Sequence, residues 1–284
     1  NNIALDHKTM DELRELFEGF ARRADVAVLN DENDETQRLN MKLLGHDDEP
    51  EHAVLSYSLN DPMSEFTASE IEPGPTSISF RAHSSEDSHK AANVTLRMPG
   101  VHNVYNALAA IAAVTRVGVS FEDACESLGR FEGIKRRFDI VGTTDQGVTV
   151  IDDFGHNPDK ISATLRTLHD FPGRLLVMFQ PHGFGPLRKM KDEFVETFVN
   201  GLDAGDVLLM PQPVYFGGTV DRSVTSKDLT DEIAAAGRQA ETFETRAECG
   251  DRLVELAQPG DRIIVMGARD DTLSEFAAGV LSRV

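Results

Sequence analysis

Three short polar runs in the second half of the chain carry the side chains best suited to chemistry. They are DDFGHNP (152–158), QPHGFG (180–185) and GARDDT (267–272), and each follows an apolar, strand-like segment. Each run alone could be a capped turn. If the preceding strands are parallel, however, the three runs share the sheet edge at which α/β proteins bind ligands. We therefore predict a functional site at that edge.

The elements that would hold these runs are strands alternating with helices. The hydrophobic pattern predicts strands at 138–143, 148–152, 174–179, 206–210 and 261–266, with helices near 158–170, 187–202, 226–236, 245–257 and 271–282. Continuous apolar strands such as RLLVMF and RIIVMG, separated by amphipathic helices, are typical of a mostly parallel, doubly wound sheet.

The first half of the chain has a different pattern. It predicts a helix from Thr9 to Ala24, a strand at 26–30, and an acidic helix or loop through Leu44. Four β-rich runs, AVLSYSL, EFTASEI, TSISFRA and NVTLRM, then predict an antiparallel meander. A helix at 101–118 and another capped by Ser120 complete this half. The change of pattern places a domain boundary near Gly133, between domains 1–133 and 134–284.

Composition and charge exclude several classes of protein. The chain is 40% hydrophobic and 27% charged, as soluble globular proteins are, and neither a signal-peptide pattern nor a membrane-spanning run is visible in these residues. A net charge of −20 argues against nucleic-acid binding, which needs clustered Lys and Arg. Two isolated cysteines, Cys125 and Cys249, fit a reducing compartment. We expect a cytoplasmic protein, monomeric or dimeric, without nucleic-acid or membrane partners.

Five motifs, taken in order, resemble the Mur ligases. They are NIALDH (2–7), HNVYNALAA (102–110), KRRFD (135–139), DDFGHNP (152–158) and FQPHGF (179–184). Mur ligases are ATP-dependent enzymes that add amino acids or peptides to cell-wall precursors, and the likeness is greatest to the branch that adds alanine to UDP-N-acetylmuramate. The resemblance implies an α/β fold in which the distal part of a P-loop ATPase central domain precedes a Rossmann-like C-terminal domain with a mostly parallel sheet.

One family motif does not occur among these residues. Mur ligases carry a P-loop of the form G-x-x-G-K-[ST], whose backbone amides and lysine bind phosphate, and the sequence contains no such run. We therefore expect that the chain corresponds to the part of a Mur ligase that follows the P-loop. We also expect that these 284 residues alone hydrolyse no ATP.

The resemblance assigns some residues to ATP and Mg²⁺. It implies that His7 helps to hold Mg²⁺, within a shell supplied mostly by oxygen ligands. It also implies that His102, Asn103 and Asn106 bind the adenine end of ATP, since carboxamides both donate to and accept from a purine edge. From the residues alone, Asn103 could instead be the cap of a helix and Asn106 a packing residue.

Two further residues are assigned to the nucleotide. Arg137 matches the arginine that the family brings to the ATP phosphates, and guanidinium groups bind phosphate oxygens in a bidentate manner; it could instead form a surface salt bridge. Asp153 matches the residue that contacts the ribose. Together with His7, these two are the predicted catalytic residues.

The remaining candidates concern the acceptor and the amine. His156 and His182 are predicted to face the cleft. Gly183 stands where the alanine-adding branch has an arginine, and Arg188 in the next turn is predicted to contact the substrate. The GARD turn resembles that of other family members, and its Arg269 could either contact a substrate carboxylate or pair with one of the acids that follow it.

The resemblance implies a ligase that joins a carboxylate acceptor to an amino acid or peptide through an acyl phosphate. The acceptor would be a UDP-sugar of the peptidoglycan-precursor type. Two alternatives stay open. One is a folylpolyglutamate or cyanophycin synthetase-like amide ligase, which the HNP and GARD runs also fit. The other is a non-catalytic domain that binds nucleotide or substrate.

Overall fold

A computed structural model describes residues 8–44, 53–85, 90–214 and 221–284. The chain divides into two compact units and passes from the first to the second between Glu132 and Gly133. Each unit has its own sheet and its own hydrophobic core. Among the helices described in these ranges, none is long and apolar enough to cross a bilayer.

The first unit has a five-stranded sheet in the order β1-β2-β3-β4-β5. Its strands are β1 Val26–Asn30, β2 Ala53–Ser58, β3 Phe66–Pro73, β4 Ile78–Ser84 and β5 Lys90–Leu96. Its described helices are α1 Met10–Ala21, α2 Asp34–Leu44, α3 Val101–Arg116 and α4 Phe121–Arg130. As predicted, Ser120 caps α4, because its hydroxyl accepts a hydrogen bond from the Asp123 amide at 3.1 Å.

The predicted antiparallel meander is wrong for its first strand pair. Strands β3, β4 and β5 are antiparallel, but β2 pairs with both β1 and β3 in parallel. A parallel partner normally requires a crossover that returns to the start of the first strand. Here β3 begins beside the end of β2, with Tyr57 opposite Phe66, so the short loop 59–65 is sufficient.

Helix α3 anchors the core of the first unit. Val104, Leu108, Ile111 and Ala112 recur at helical spacing, and all four are fully buried against the sheet. Burying an aliphatic side chain of this size stabilises the fold by roughly 2 kcal/mol. The helix begins after Gly100, whose φ of +95° suits glycine, so the HNVYN motif occupies its first two turns.

The second unit is the doubly wound α/β structure that the pattern predicts. Its strands are β6 Asp139–Thr143, β7 Thr149–Asp153, β8 Leu175–Gln180, β9 Val207–Pro211, β10 Gln239–Phe243 and β11 Arg262–Gly267. Its described helices are α5 Pro158–His169, α6 Phe184–Lys189, α7 Lys191–Gly201, α8 Ser226–Ala235, α9 Arg246–Leu256 and α10 Thr272–Leu281. The sheet order is β10-β9-β8-β11-β7-β6, and only β6 runs antiparallel to its neighbour.

Two elements of this unit differ from the prediction. The helix expected at 187–202 is two helices that meet at Met190, which is buried and has non-helical dihedral angles. Strand β10 was not predicted, because it is an edge strand with the polar sequence QAETF and no continuous apolar run.

The sheet separates two cores. Alternate strand residues such as Val177 and Phe179 face α5, α6, α7 and α8, whereas Leu176 and Met178 face α9 and α10. This arrangement leaves the carboxyl ends of β7, β8 and β11 at one uncovered edge, from which the three polar runs emerge.

Candidate active site

Strand register brings the three polar runs together, as predicted. Met266, near the end of β11, pairs with Asp153 of β7 on one side and with Phe179 of β8 on the other. The runs DDFGHNP, QPHGFG and GARDDT therefore start side by side. Asn157 caps α5 and Pro158 is its first residue, which confirms the predicted turn from strand to helix.

Asp153 holds this edge together internally. One of its carboxylate oxygens accepts the Phe138 amide at 2.9 Å, and the other accepts the Gly155 amide at 3.1 Å and the Thr164 hydroxyl at 2.9 Å. A carboxylate has about four acceptor positions, so little capacity is left for a ligand. The predicted ribose contact stays a prediction, and it would use the remaining position.

Asp152 and Arg136 form a buried polar group beneath the site. The Ser274 hydroxyl donates to Asp152 at 2.6 Å, and the Arg136 Nε lies 3.5 Å from the same carboxylate oxygen. Arg136 also donates to the Gly267 carbonyl at 2.8 Å. Burial raises the pKa of Asp152, against the opposing effects of Ser274 and Arg136. These contacts fix the segment that carries Arg137 to the ends of β7 and β11.

Arg137 follows Arg136 in the chain but is exposed. Its guanidinium carbon lies 4.9 Å from the centre of the Phe154 ring, and that of Arg136 lies 5.0 Å from the same ring. Within the described residues, Arg137 forms no ion pair with a carboxylate. The alternative that it makes a surface salt bridge is therefore not seen, and its guanidinium is available to an anion.

His156 and His182 meet at the centre of the edge. Their ring centroids lie 5.5 Å apart with the ring planes perpendicular. The Nδ1 atom of His156 lies 2.9 Å from the Phe154 carbonyl oxygen, which accepts a hydrogen bond when Nδ1 carries the proton. That bond orients the other ring nitrogen of His156 away from the backbone. The structure thus brings together two residues that the sequence predicts for the substrate.

Burial and nearby cations keep both histidines neutral at pH 7. The pKa of His182 is lowered to about 4, by burial first and then by the neighbouring His156 and Arg269. The pKa of His156 is lowered by burial first and then by Lys160, Arg137 and Arg269, although its bond to the backbone opposes this. Three cations thus act on one pair of rings.

Arg269 and Lys160 have no carboxylate partner among the described residues. Asp270 instead accepts bonds from Gln180 at 2.8 Å and from Arg246 at 2.9 Å, and Asp271 lies 3.6 Å from Arg136, so the alternative that Arg269 pairs with Asp270 or Asp271 is not seen. Arg269 is exposed and has a left-handed φ of +61°. Sequence reasoning missed Lys160; the available signal was a lysine in the first turn of α5.

Arg188 does not join this cluster. It lies on α6, is exposed, and forms an ion pair with Asp221. No contact found between described residues links it to His182. Its predicted role in substrate binding stays a prediction.

The nucleotide candidates of the first unit lie at the start of α3. The Asn103 carboxamide donates to the Pro99 carbonyl at 2.7 Å, and that of Asn106 donates to Asn103 at 3.2 Å. Asn103 is buried and is not the helix cap, because Gly100 occupies that position. His102 and Asn106 are exposed. His7, the predicted metal ligand, lies outside the described residues.

A second group has the composition of a metal site, but it lies at the opposite edge of the sheet. His169, Asp203 and Asp206 are the only such group within the described ranges. The Leu175 and Asp203 amides both donate to Asp206 at 2.8 Å, so this carboxylate closes the turn before β9. At the predicted site, Asp152 and Asp153 are already bonded internally, and the described carboxylates do not form a ready Mg²⁺ shell.

Comparison with known proteins assigns both units. The Mur ligase middle domain matches residues 6–114, and the Mur ligase, glutamate ligase domain matches residues 136–269. The chain is 31% identical over 280 residues to the UDP-N-acetylmuramate–L-alanine ligase of Lachnospira eligens, an alignment that covers 95% of this chain and 58% of the relative. It thus spans about half the length of the curated relatives that it matches.

Solved structures show the same fold. The UDP-N-acetylmuramate–alanine ligase of Thermotoga maritima superposes with a TM-score of 0.71 at 21% identity, over 100% of this chain and 57% of that one. The MurF ligase of Thermotoga maritima in complex with ADP gives a TM-score of 0.61 at 14% identity, over 93% of this chain and 63% of that one. The resemblance that the motifs predict is confirmed in both units, and the chain belongs to the Mur ligase family.

Proposed function

We propose that this chain is part of a cytoplasmic ATP-dependent ligase that joins a carboxylate acceptor to an amino acid or a peptide. The acceptor is a peptidoglycan precursor of the UDP-N-acetylmuramate type, as the names of the relatives suggest. One observation carries the proposal: the His156–His182 ring pair lies where β7, β8 and β11 end, and the three cations that act on His156, namely Arg137, Lys160 and Arg269, have no carboxylate partner within the described residues.

The reaction needs such a concentration of positive charge. A carboxylate oxygen of the acceptor attacks the γ-phosphorus of ATP while the bond to the bridging oxygen breaks, which gives an acyl phosphate and ADP. The amine nitrogen then attacks the acyl carbon, phosphate leaves with its bonding electrons, and loss of a proton from nitrogen completes the amide. Both steps build negative charge on oxygen, which preorganised cations stabilise.

Within this scheme the chain's own residues have separate tasks. Arg137 binds the phosphates, Asp153 the ribose, and His102, Asn103 and Asn106 the adenine. When bound, Mg²⁺ would neutralise phosphate charge; His7 is its proposed ligand, while the described carboxylates do not supply a shell for it.

The substrate side of the site is formed by His156, His182 and Arg269. The two neutral imidazoles supply hydrogen bonds without adding charge. Arg269 offers an unpaired guanidinium to a substrate carboxylate, while Arg188 would have to release Asp221 before it could take part.

The test is phosphate release by the whole protein that contains this chain. We expect ATP turnover only when a UDP-sugar acceptor and its amino acid are both present, and we expect Arg137→Gln to reduce kcat/KM by about 100-fold, as is common when a transition-state donor is removed. Arg283→Gln is the matched control, because Arg283 is exposed and pairs with Asp251 at 2.7 Å on the surface.

Two results would count against this function. One is the absence of acceptor-stimulated phosphate release across a panel of UDP-N-acetylmuramate derivatives and amino acids. The other is equal activity of the Arg137→Gln and Arg283→Gln proteins. Phosphate release with a folate or a polyaspartate acceptor instead would identify the protein as a folylpolyglutamate or cyanophycin synthetase-like ligase.

A further inference from the structure

Lys160 is the cation at this edge that neither the motifs nor the family resemblance singles out. It is the third residue of α5, where its amide donates to the Asn157 side chain at 3.0 Å. Its position is unfavourable in itself, because the first turn of a helix carries partial positive charge and prefers acids. The side chain is half-buried, which adds a desolvation cost.

No internal partner compensates for this position. Lys160 forms no ion pair with any described carboxylate. The acid that raises its pKa is Asp153, whose two oxygens already accept the Phe138 and Gly155 amides and the Thr164 hydroxyl. In a chain with a net charge of −20, acidic side chains outnumber basic ones, so a half-buried lysine is expected to form an ion pair. Its lack of one is consistent with a partner that is a ligand.

Arg137 and Lys160 lie on two segments that meet at Asp153. Arg137 precedes Phe138, whose amide donates to Asp153 at 2.9 Å, and Lys160 lies one turn before Thr164 of α5, whose hydroxyl donates to the same carboxylate at 2.9 Å. The Arg137 charge lowers the pKa of Lys160, after the larger effect of burial, and both cations lower the pKa of His156. Arg269 acts instead on His156 and His182. Arg137 and Lys160 are therefore carried by the two segments that Asp153 joins, whereas Arg269 follows the end of β11.

We propose that Lys160 is a further phosphate-binding residue of this site, and that its ammonium group and the Arg137 guanidinium hold the same phosphate chain. This inference rests on the proposed function, because it assigns the nucleotide phosphates to this side of the edge. A polyphosphate carries several negative charges. It can therefore accept hydrogen bonds from the planar guanidinium of Arg137 and from the compact ammonium of Lys160 at the same time. A single carboxylate would be satisfied by Arg269 alone.

The test uses the 284-residue chain and inorganic tripolyphosphate as the probe. Binding is followed by NMR through the ring signals of His156 and His182, at constant low ionic strength. We expect Lys160→Gln to raise the dissociation constant for tripolyphosphate by about three- to tenfold, the usual range for one charge-assisted contact in a partly exposed site. Lys160→Arg should retain most of the binding.

The matched control is Lys227→Gln. Lys227 also lies in the first turn of a helix, α8, but it is exposed and pairs with Asp231 at 2.7 Å. Its replacement removes the same charge from the chain and should leave tripolyphosphate binding unchanged. Acetate titrations of the same proteins are the second control. A lost phosphate contact should weaken tripolyphosphate binding more than acetate binding, whereas a general change of charge should weaken both equally.

The outcomes separate this inference from the proposed function. If Arg137→Gln weakens tripolyphosphate binding and Lys160→Gln does not, the role of Lys160 is wrong and the nucleotide site stands. If neither substitution weakens it, or the unaltered chain does not bind the probe, the phosphate assignment of this edge fails as well. An equal weakening of acetate and tripolyphosphate binding by Lys160→Gln would also overturn the inference.

Discussion

At the scale of single residues, the site divides into side chains that build it and side chains that are available to ligands. Asp152, Asp153 and Arg136 are buried and bonded within the chain. Arg137 and Arg269 are exposed and have no described carboxylate partner. The sequence motif marks both kinds equally, because it records which residue types are present and not which of their hydrogen bonds are already made.

Asp153 provides a direct test of this division. Asp153→Asn would turn one acceptor oxygen into an NH₂ group that faces a backbone amide or the Thr164 hydroxyl, leaving a buried donor without an acceptor. We expect a loss of about 2–3 kcal/mol in the free energy of unfolding, measured by urea denaturation. Asp145→Asn, at an exposed turn position, is the control and should change it by less than about 0.5 kcal/mol. Equal stability of the two variants would show that Asp153 is free for ligands.

At the scale of elements, the prediction from sequence succeeds where burial dictates residue type. Strands β7, β8 and β11 are central and parallel, so their continuous apolar runs identify them and their shared edge locates the site. Strand β10 lies at the edge and carries no such run. The parallel pairing of β2 with β3 depends on an offset register, which local pattern does not encode. Likewise, tertiary structure brings the segment of Arg137 and the helix of Lys160 to the same residue, Asp153.

Glu32 shows how one side chain fixes several elements of the first unit. One of its oxygens accepts the Ser58 hydroxyl at 2.7 Å and the Leu59 amide at 2.6 Å, and the other accepts the Tyr105 hydroxyl of α3 at 2.6 Å. Burial alone would raise the pKa of Glu32, but these bonds outweigh it and lower the pKa to about 2. The same bond and burial raise the pKa of Tyr105 to about 12. The carboxylate thus ties the loop after β2 to the helix that carries the HNVYN motif.

We expect Glu32→Gln to lower the free energy of unfolding at pH 7 by about 1–2 kcal/mol. This loss is smaller than for a fully buried carboxylate, because solvent screens a partly exposed group. A lowered folded-state pKa gives stability that is complete above the unfolded value of about 4.5 and is lost as pH falls towards about 2. The difference in the free energy of unfolding between the unaltered chain and Glu32→Gln should therefore become smaller from pH 4.5 to about 2, as measured by urea unfolding at each pH. Glu15→Gln, at an exposed position of α1, should show no such gap. A constant gap down to pH 2 would refute the role of Glu32.

At the scale of the whole molecule, the net charge opposes the binding of the proposed substrates, so local cations must attract them. A net charge of −20 repels nucleotides and UDP-sugars, which are themselves anionic. Arg137, Lys160 and Arg269 place three positive charges at one edge of one sheet, none of them paired with a described carboxylate. The acidity of the remaining surface therefore favours binding at that edge over nonspecific binding elsewhere.

The same charge should make the stability of the chain depend on salt. Self-repulsion among 48 acidic side chains, offset by only 28 Lys and Arg, destabilises the compact state. Raising KCl from about 0.02 to 1 M shortens the Debye length from over 20 Å to about 3 Å and screens that repulsion. We expect the thermal unfolding midpoint to rise by several degrees, and most of the rise should occur below about 0.3 M. Surface ion pairs such as Lys227–Asp231 weaken over the same range, but each contributes little. A midpoint that stays constant or falls would mean that local ion pairs outweigh the net charge, and sucrose at equal osmolarity controls for general exclusion effects.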